Sequence, residues 1–529
     1  MSMPIDSRRD RTVRRMVYRV LWPGFNGTTT PEWLARALDE GLGGALYFAH
    51  NFVPDDAQQP RRLSDRIHAI SPAALLGVDE EGGIVTRLEA ADGSSEPGNA
   101  VLGRVDDVQA TCRSGQRIGT LVGSNGIDID LAPVVDVNSD PRNPVIGVRS
   151  FGAHPQLVAR HGAAMARGIQ QAGVACCIKH FPGYGDVVSD PHLTSSLAHR
   201  TPEQFRSIHL PPFEAALRTG AQCVMSAHIT VPYLGDDPAT INPKALSILR
   251  KELGFDGVMI CDALDMAAIA DTIGQRRGGV AALLAGNDLL CIGNPAGHPG
   301  HGEDDFIRVR DGLFDALDDG SLPIETLERA GKRIERLSYW RAQHNQDWRA
   351  LTSPSSRNTA DGTRQAPSQE GEQLAARALE VHGDVRLAAS GRPVMLVDAR
   401  SSRSPVIGPG ANRFMRALKE RGLDVVTPQP YTGNAAAAGA DGAARLIRQL
   451  SGYEGDIVLI AGLLLEGSEE CAFVTGILHS KPQAVVLQTG WPATGGVVAG
   501  RMVRTYGDAL PNARAAAGML APNRHGSGC

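Results

Sequence analysis

At 529 residues the chain is long enough for two large domains, and its 42% hydrophobic and 21% charged residues are ordinary for a folded globular protein. A net charge of −5, with basic residues gathered only at Arg8-Arg9-Asp10-Arg11 and Arg14-Arg15, argues against a nucleic-acid-binding surface. Arg19 and Pro23 interrupt the apolar run after that cluster, so no secretory leader is expected, and the apolar run 457–465 is far too short to cross a bilayer.

Short apolar strands then alternate with helical segments. Strands are predicted at 17–21, 44–48, 74–78, 127–137, 175–180, 223–228, 258–262 and 288–292. Helices are predicted at 31–42, 156–171, 202–218 and 243–253, two of them opening on Thr30-Pro31 and Thr201-Pro202, a capping residue followed by proline at the first helical position. Eight strands in this alternation fit a (β/α)8 TIM-like barrel. Polar residues recur at the carboxyl ends of many of the strands, namely Asp79, Asp136, Lys179-His180, His228 and Asp262. A barrel brings such ends to one face, whereas an open doubly wound sheet does not, and no glycine-rich phosphate loop follows the first strand.

A helical pattern at 324–341 closes this half, giving a barrel domain over 1–342. A polar stretch rich in Ser, Thr, Asn, Gly and Pro follows as a linker over 343–372. Strands at 393–397, 424–426, 457–461 and 484–488, with helices at 411–420, 443–450 and 512–520, make 373–529 a smaller α/β sandwich with a mostly parallel sheet. Of the eight cysteines, Cys176, Cys177, Cys223, Cys261 and Cys291 fall in predicted buried strands. They read as reduced core thiols of a cytoplasmic protein, not as a disulfide framework.

The chemistry concentrates after the strand 175–180. Pro182, Gly183, Gly185 and Pro191 force a loop, and within it Asp190 and His192 stand two apart, so in extended backbone the carboxylate can reach an imidazole nitrogen. A carboxylate fixes the tautomer of its histidine and suits it to general acid/base work near neutral pH, although an isolated Asp-x-His in a loop is more often merely solvated. Asp79, beside the Gly82-Gly83 turn, can accept hydrogen bonds from sugar-type hydroxyls or can be a plain acidic turn. Arg149, among small and apolar residues, either pairs with a carboxylate or clamps a ligand. His228 taken alone reads as a core histidine. Asp262 ends a strongly apolar strand and must be paired or functional, because an unpaired buried charge is costly. An aspartate on one element and an Asp/His pair on another match double displacement at an acetal carbon, with histidine in place of the usual second carboxylate.

Five stretches carry a specific likeness: Asp79-Glu-Glu-Gly-Gly-Ile-Val-Thr-Arg87, Ala132-Pro-Val-Val-Asp-Val-Asn138, Asn143-Pro-Val-Ile-Gly-Val-Arg-Ser-Phe-Gly152, Lys179-His-Phe-Pro-Gly183 and Cys261-Asp-Ala-Leu-Asp-Met266. In these the chain resembles glycoside hydrolase family 3, and within it the bacterial β-N-acetylglucosaminidases with an Asp-x-His dyad. The resemblance implies that Asp262 is the nucleophile and His192 the acid/base, oriented by Asp190. It implies that Asp79, Arg87, Arg149, Lys179 and His180 line the sugar subsite. It further implies a retaining exo-glycosidase that removes terminal β-linked N-acetylglucosamine from small saccharide or muropeptide fragments of peptidoglycan turnover, without metal or organic cofactor, nucleic acid or membrane. Three positions depart from the family pattern: Tyr184 stands in place of a histidine, Val187 in place of a small hydroxyl residue, and Pro191 between the dyad partners.

Other readings of the same residues are a broader β-glycosidase, a phosphorylase that transfers the sugar to phosphate, and a sugar-binding relative without turnover. A metal-dependent barrel hydrolase would have to use His180, His192, His228 and Asp262 as ligands, and the sequence lacks the His-x-His strand pattern of many such barrels.

Overall fold

The computed structural model of the chain describes residues 7–188, 196–296, 301–351, 368–388, 391–400, 411–428, 439–492 and 499–521. They form two compact units. The first is made of Met1–Glu81, Asp107–Ser139 and Ala153–Arg364, and the second of Gly82–Asp106, Asp140–Gly152 and Gln365–Cys529. Two segments that follow barrel strands in the chain therefore belong to the second unit.

The first unit is a parallel barrel of β1 (Leu21–Trp22), β2 (Gly44–Tyr47), β3 (Leu75–Val78), β4 (Ile129–Asp130), β5 (Ala175–Phe181), β6 (Cys223–Ser226), β7 (Val258–Cys261) and β8 (Leu289–Cys291). Neighbours run β1-β8-β7-β6-β5-β4-β3-β2, and a parallel bridge between Gly24 and Leu46 joins the two ends. The strands are buried along their whole length, as expected where helices cover the outside and side chains fill the inside. Burial also pushes the thiols up, that of Cys176 to about 12, so these cysteines are core thiols and not thiolates.

Four local readings of the sequence change. Most of the predicted strand 17–21 lies in or just after the helix Arg11–Arg19, because Asp10 caps it by accepting from the Thr12 and Val13 amides, and Val13 and Val17 form its buried face. The first strand is Leu21–Trp22. The predicted strand 127–137 is regular only over Ile129–Asp130, since Pro133 has no N–H to donate; beyond it the chain bridges β5 at Val134 with Lys179, the Ala132 and Pro133 carbonyls accept the Cys177 and Lys179 amides, and the Val135 amide donates to the Lys179 carbonyl. The predicted helix 202–218 is interrupted at Phe205–His209, where Leu210 donates to the Phe205 carbonyl five residues back. Pro211 and Pro212 cannot donate to the preceding turn, which favours the wider register there. The closing helix, predicted over 324–341, runs over Ile324–Leu351 and so through the predicted start of the linker.

The second unit is a three-layer sandwich. Its sheet runs Glu380–His382, Met502–Arg504, Val485–Gln488, Ile457–Ala461, Val394–Asp398, Val425–Val426, with the first strand antiparallel and the others parallel. Alternate residues of one strand feed opposite cores. Val458 and Ile460 pack with Phe414, Leu418 and Ala516, while Ile457 and Leu459 pack with Leu446, Phe473 and Ile477. The strands 380–382 and 502–504 and the helix Glu469–Ser480 were not predicted from sequence.

Inside the barrel, Trp22 is fully buried and its indole N–H donates to the Leu75 carbonyl at 2.7 Å. A Cβ at Gly77 would lie 2.2 Å from that indole ring. Gly77→Ala is therefore expected to destabilise the barrel by about 1–3 kcal/mol through overpacking. The check is urea unfolding followed by tryptophan fluorescence. An unchanged midpoint would mean that Trp22 can move aside.

Candidate active site

The site begins with a fault in the ladder between β5 and β6. Ile178 pairs with Val224 and Phe181 with Ser226, three steps on one strand against two on the other. In a regular strand Lys179 and His180 would face opposite sides. The extra residue re-aims them, and each meets acids from the carboxyl end of another strand.

Lys179 is almost fully buried, and its Nζ lies 2.6 Å from Asp79 Oδ1 and 2.8 Å from Glu81 Oε1, both just past β3. An ammonium in such a place stays charged only with compensation at hand, and two carboxylates supply it. Glu81 is as deeply buried as the lysine, whereas Asp79 keeps part of its carboxylate exposed. Below them Asp130 accepts the Glu80 amide at 3.0 Å, and burial raises its carboxyl well above the usual range.

His180 faces Asp136, beyond β4. Its Nδ1 lies 2.7 Å from Asp136 Oδ2, and Asp136 Oδ1 accepts the Tyr184 amide at 2.6 Å. A carboxylate can only accept here, so Nδ1 carries a proton and donates to Asp136.

Asp262 stands directly after β7. Its amide donates to the Ser226 carbonyl at 3.0 Å, continuing the ladder, and its Oδ1 accepts the Ala263 amide at 2.8 Å while the side chain remains partly exposed. The turn that follows is held from both neighbours. From the β6 side, His228 Nε2 lies 2.8 Å from the Ala263 carbonyl and donates to it. From the β8 side, the Cys291 carbonyl accepts the Leu264 amide at 3.0 Å, and Asp265 accepts the Asn294 amide at 2.8 Å. His228, read from sequence as a core histidine, is buried as expected, and it also fixes the turn of Asp262.

Asp79, Lys179 and His180 thus come together with Glu81 and Asp136 at the carboxyl ends of β3, β4 and β5. Glu81 was not singled out from sequence, although its spacing of two from Asp79 was a usable signal. Arg87 and Arg149 lie on the segments of the second unit, both buried, and the Arg149 carbonyl accepts the Asn99 side-chain amide at 2.7 Å. Asp190 and His192 lie outside the described residues. Among the described residues no three His, Cys, Asp or Glu side chains converge as metal ligands would.

Burial pushes the Asp265 carboxyl up to about 7, with the negative charges of Asp305 and Asp262 adding to the effect against the Asn294 hydrogen bond. Asp265 then keeps its proton in the folded chain, whereas an unfolded aspartate loses it near ~3.9. The resulting stability is fully present below about pH 4 and is lost as pH rises through about 7. Asp265→Asn keeps the acceptor and cannot ionise. Its melting temperature relative to wild type is expected to be higher at pH 8 than at pH 5, and a constant difference would place the Asp265 titration elsewhere.

Residues 22–337 match the glycosyl hydrolase family 3 N terminal domain. The chain is 32% identical over 342 residues to β-hexosaminidase A of Pseudoalteromonas piscicida, covering 59% of this chain and 55% of that one, so it spans about half the length of that relative. It is 35% identical over 271 residues to a β-hexosaminidase of Stenotrophomonas maltophilia (strain R551-3), covering 50% of this chain and 79% of the relative. Among solved structures it is similar to a glycoside hydrolase family 3 β-N-acetylglucosaminidase from Paenibacillus sp. str. FPU-7, with a TM-score of 0.80 and 28% identity over 96% of this chain and 98% of that one. With the family's N-terminal domain matched over more than half of its length and the barrel and sandwich both present, the chain belongs to glycosyl hydrolase family 3.

Proposed function

We propose that the chain is a retaining exo-β-N-acetylhexosaminidase that removes terminal β-linked N-acetylglucosamine. The observation that carries this reading is the placement of Asp262. Its partly exposed carboxylate ends a barrel strand, on a turn held by hydrogen bonds from both neighbouring strands. Such a fixed carboxylate suits in-line attack on an anomeric carbon, where small misplacement costs large factors in rate. The names of the relatives, β-hexosaminidases and a β-N-acetylglucosaminidase, support the choice of sugar.

In the first step the Asp262 carboxylate attacks C1 and forms a glycosyl ester, while His192 protonates the departing glycosidic oxygen. In the second, the now neutral His192 takes a proton from water, which attacks C1 and releases Asp262. Asp190 orients His192 and stabilises its charged form. Asp79, paired with Lys179, accepts hydrogen bonds from sugar hydroxyls, and His180 lines the same subsite. Arg87 and Arg149 complete the hold on the hydroxyls and the N-acetyl group.

Fragments of peptidoglycan turnover, met in the cytoplasm, are the proposed substrates. Buried reduced thiols support a reducing compartment, and no helix among the described residues is long and apolar enough to cross a membrane.

Release of p-nitrophenol from its N-acetyl-β-glucosaminide is expected from wild type without added phosphate. Asp262→Ala should lower kcat by on the order of 10⁴-fold. His192→Ala should lower it by roughly 10²–10⁴-fold. Proton NMR should show the β anomer first. An α anomer formed first, or turnover that survives in Asp262→Ala, would overturn the assignment.

A further inference from the structure

We infer that Asp130 is a positioning residue for the sugar subsite, because its side chain holds the peptide group that joins Asp79 to Glu80. The inference rests on the function proposed above, in which Asp79 accepts hydrogen bonds from the sugar.

Where β3 and β4 part, a side chain takes over from the backbone. Their register closes on Val78 with Asp130, and the Leu131 amide donates to the Val78 carbonyl at 2.8 Å. Farther along β4 Pro133 has no N–H to offer, and the Glu80 amide donates to Asp130 Oδ1 at 3.0 Å. That amide belongs to the planar peptide group on the carboxyl side of Asp79. Holding it fixes the backbone rotation at Asp79 and so the direction in which the Asp79 carboxylate leaves the strand. Lys179 holds the same carboxylate at 2.6 Å and that of Glu81 at 2.8 Å. The turn is gripped twice, through its backbone by Asp130 and through its side chains by Lys179.

Asp130 does this as a neutral acid. Its side chain is fully buried, and among the described residues its second oxygen, Oδ2, has no hydrogen-bond partner. An anion in that place would be costly, and Lys179 is already engaged by two carboxylates. Burial, reinforced by the neighbouring Glu80 and Asp79 carboxylates, holds the proton against the pull of the Glu80 amide and of Lys179. The neutral carboxyl still accepts through Oδ1 and adds no further charge beneath the lysine.

The test is a double-mutant cycle on kcat/KM for p-nitrophenyl N-acetyl-β-glucosaminide. Asp130→Ala removes the acceptor and is expected to lower kcat/KM by about tenfold or more. Asp130→Asn, which is neutral and still accepts through Oδ1, should recover it to within about threefold of wild type. In an Asp79→Ala background, Asp130→Ala should lower kcat/KM further by less than about twofold, since its effect passes through Asp79. A merely structural loss would carry over into that background in full. Circular dichroism checks that each variant is folded. Asp130→Val, which fills more of the space and suits a strand, gives the same comparison where the alanine variant is not.

Losses that multiply in the double variant, or an asparagine variant as impaired as the alanine one, would overturn the inference and leave the proposed function standing. An Asp79→Ala enzyme as active as wild type would instead remove Asp79 from the sugar subsite, and with it both this inference and that part of the proposed function.

Discussion

An ammonium group withdrawn from water has to be compensated where it stands, and in this chain that constraint falls on Lys179. Its partners, Asp79 and Glu81, come from the strand two places away in the barrel, so the pairing draws the ends of β3 and β5 together across β4. At the carboxyl end of the barrel this pairing adds to the backbone hydrogen bonds that Lys179 shares with Pro133 and Val135. Removing one member of such a buried group typically costs about 3–5 kcal/mol, because the remaining charges are left uncompensated.

The bulge in β5 makes the arrangement possible. It turns two consecutive side chains, one cationic and one able to donate from a ring nitrogen, towards two different sets of acids. Asp136 then becomes a junction, since its two oxygens bind the His180 ring and the Tyr184 amide. The contrast with Asp262 is chemical. The acids near β3 and β4 are engaged by a cation or an imidazole, whereas the described hydrogen bond of Asp262 comes from a backbone amide.

The second unit follows a different logic. Its sheet separates two apolar cores, and its charged interactions sit around them, as with Arg400 and Arg413, which both bind the buried Asp508. The segments bearing Arg87 and Arg149 belong to this unit, and the helix Asn99–Val105 between them is fixed there by Arg104, which donates to the Ala378 carbonyl at 2.8 Å and lies over the Tyr506 ring. Arg87 and Arg149 therefore lie on segments of the second unit, not of the barrel's own.

Much of the architecture was legible in the sequence because barrel and sandwich strands are buried along their length, which writes short apolar runs at regular intervals. Seven of the eight barrel strands lie within or overlap their predicted ranges by two residues or more, and the strand-end acids and bases were visible as polar residues closing apolar runs. The first strand was misplaced because Val17, Tyr18, Val20 and Leu21 look alike in either conformation, and the decision rested on one capping aspartate. The sequence by itself thus determined the fold class and which residue types stand at the strand ends. Only the tertiary structure decided the pairings: Lys179 with Glu81, His180 with Asp136, Tyr184 with Ser196, and His228 with the turn of Asp262. The reason is that such pairs depend on register and on a single bulge, and these are set by contacts between residues 12 to 98 positions apart in the chain, beyond the reach of any local pattern.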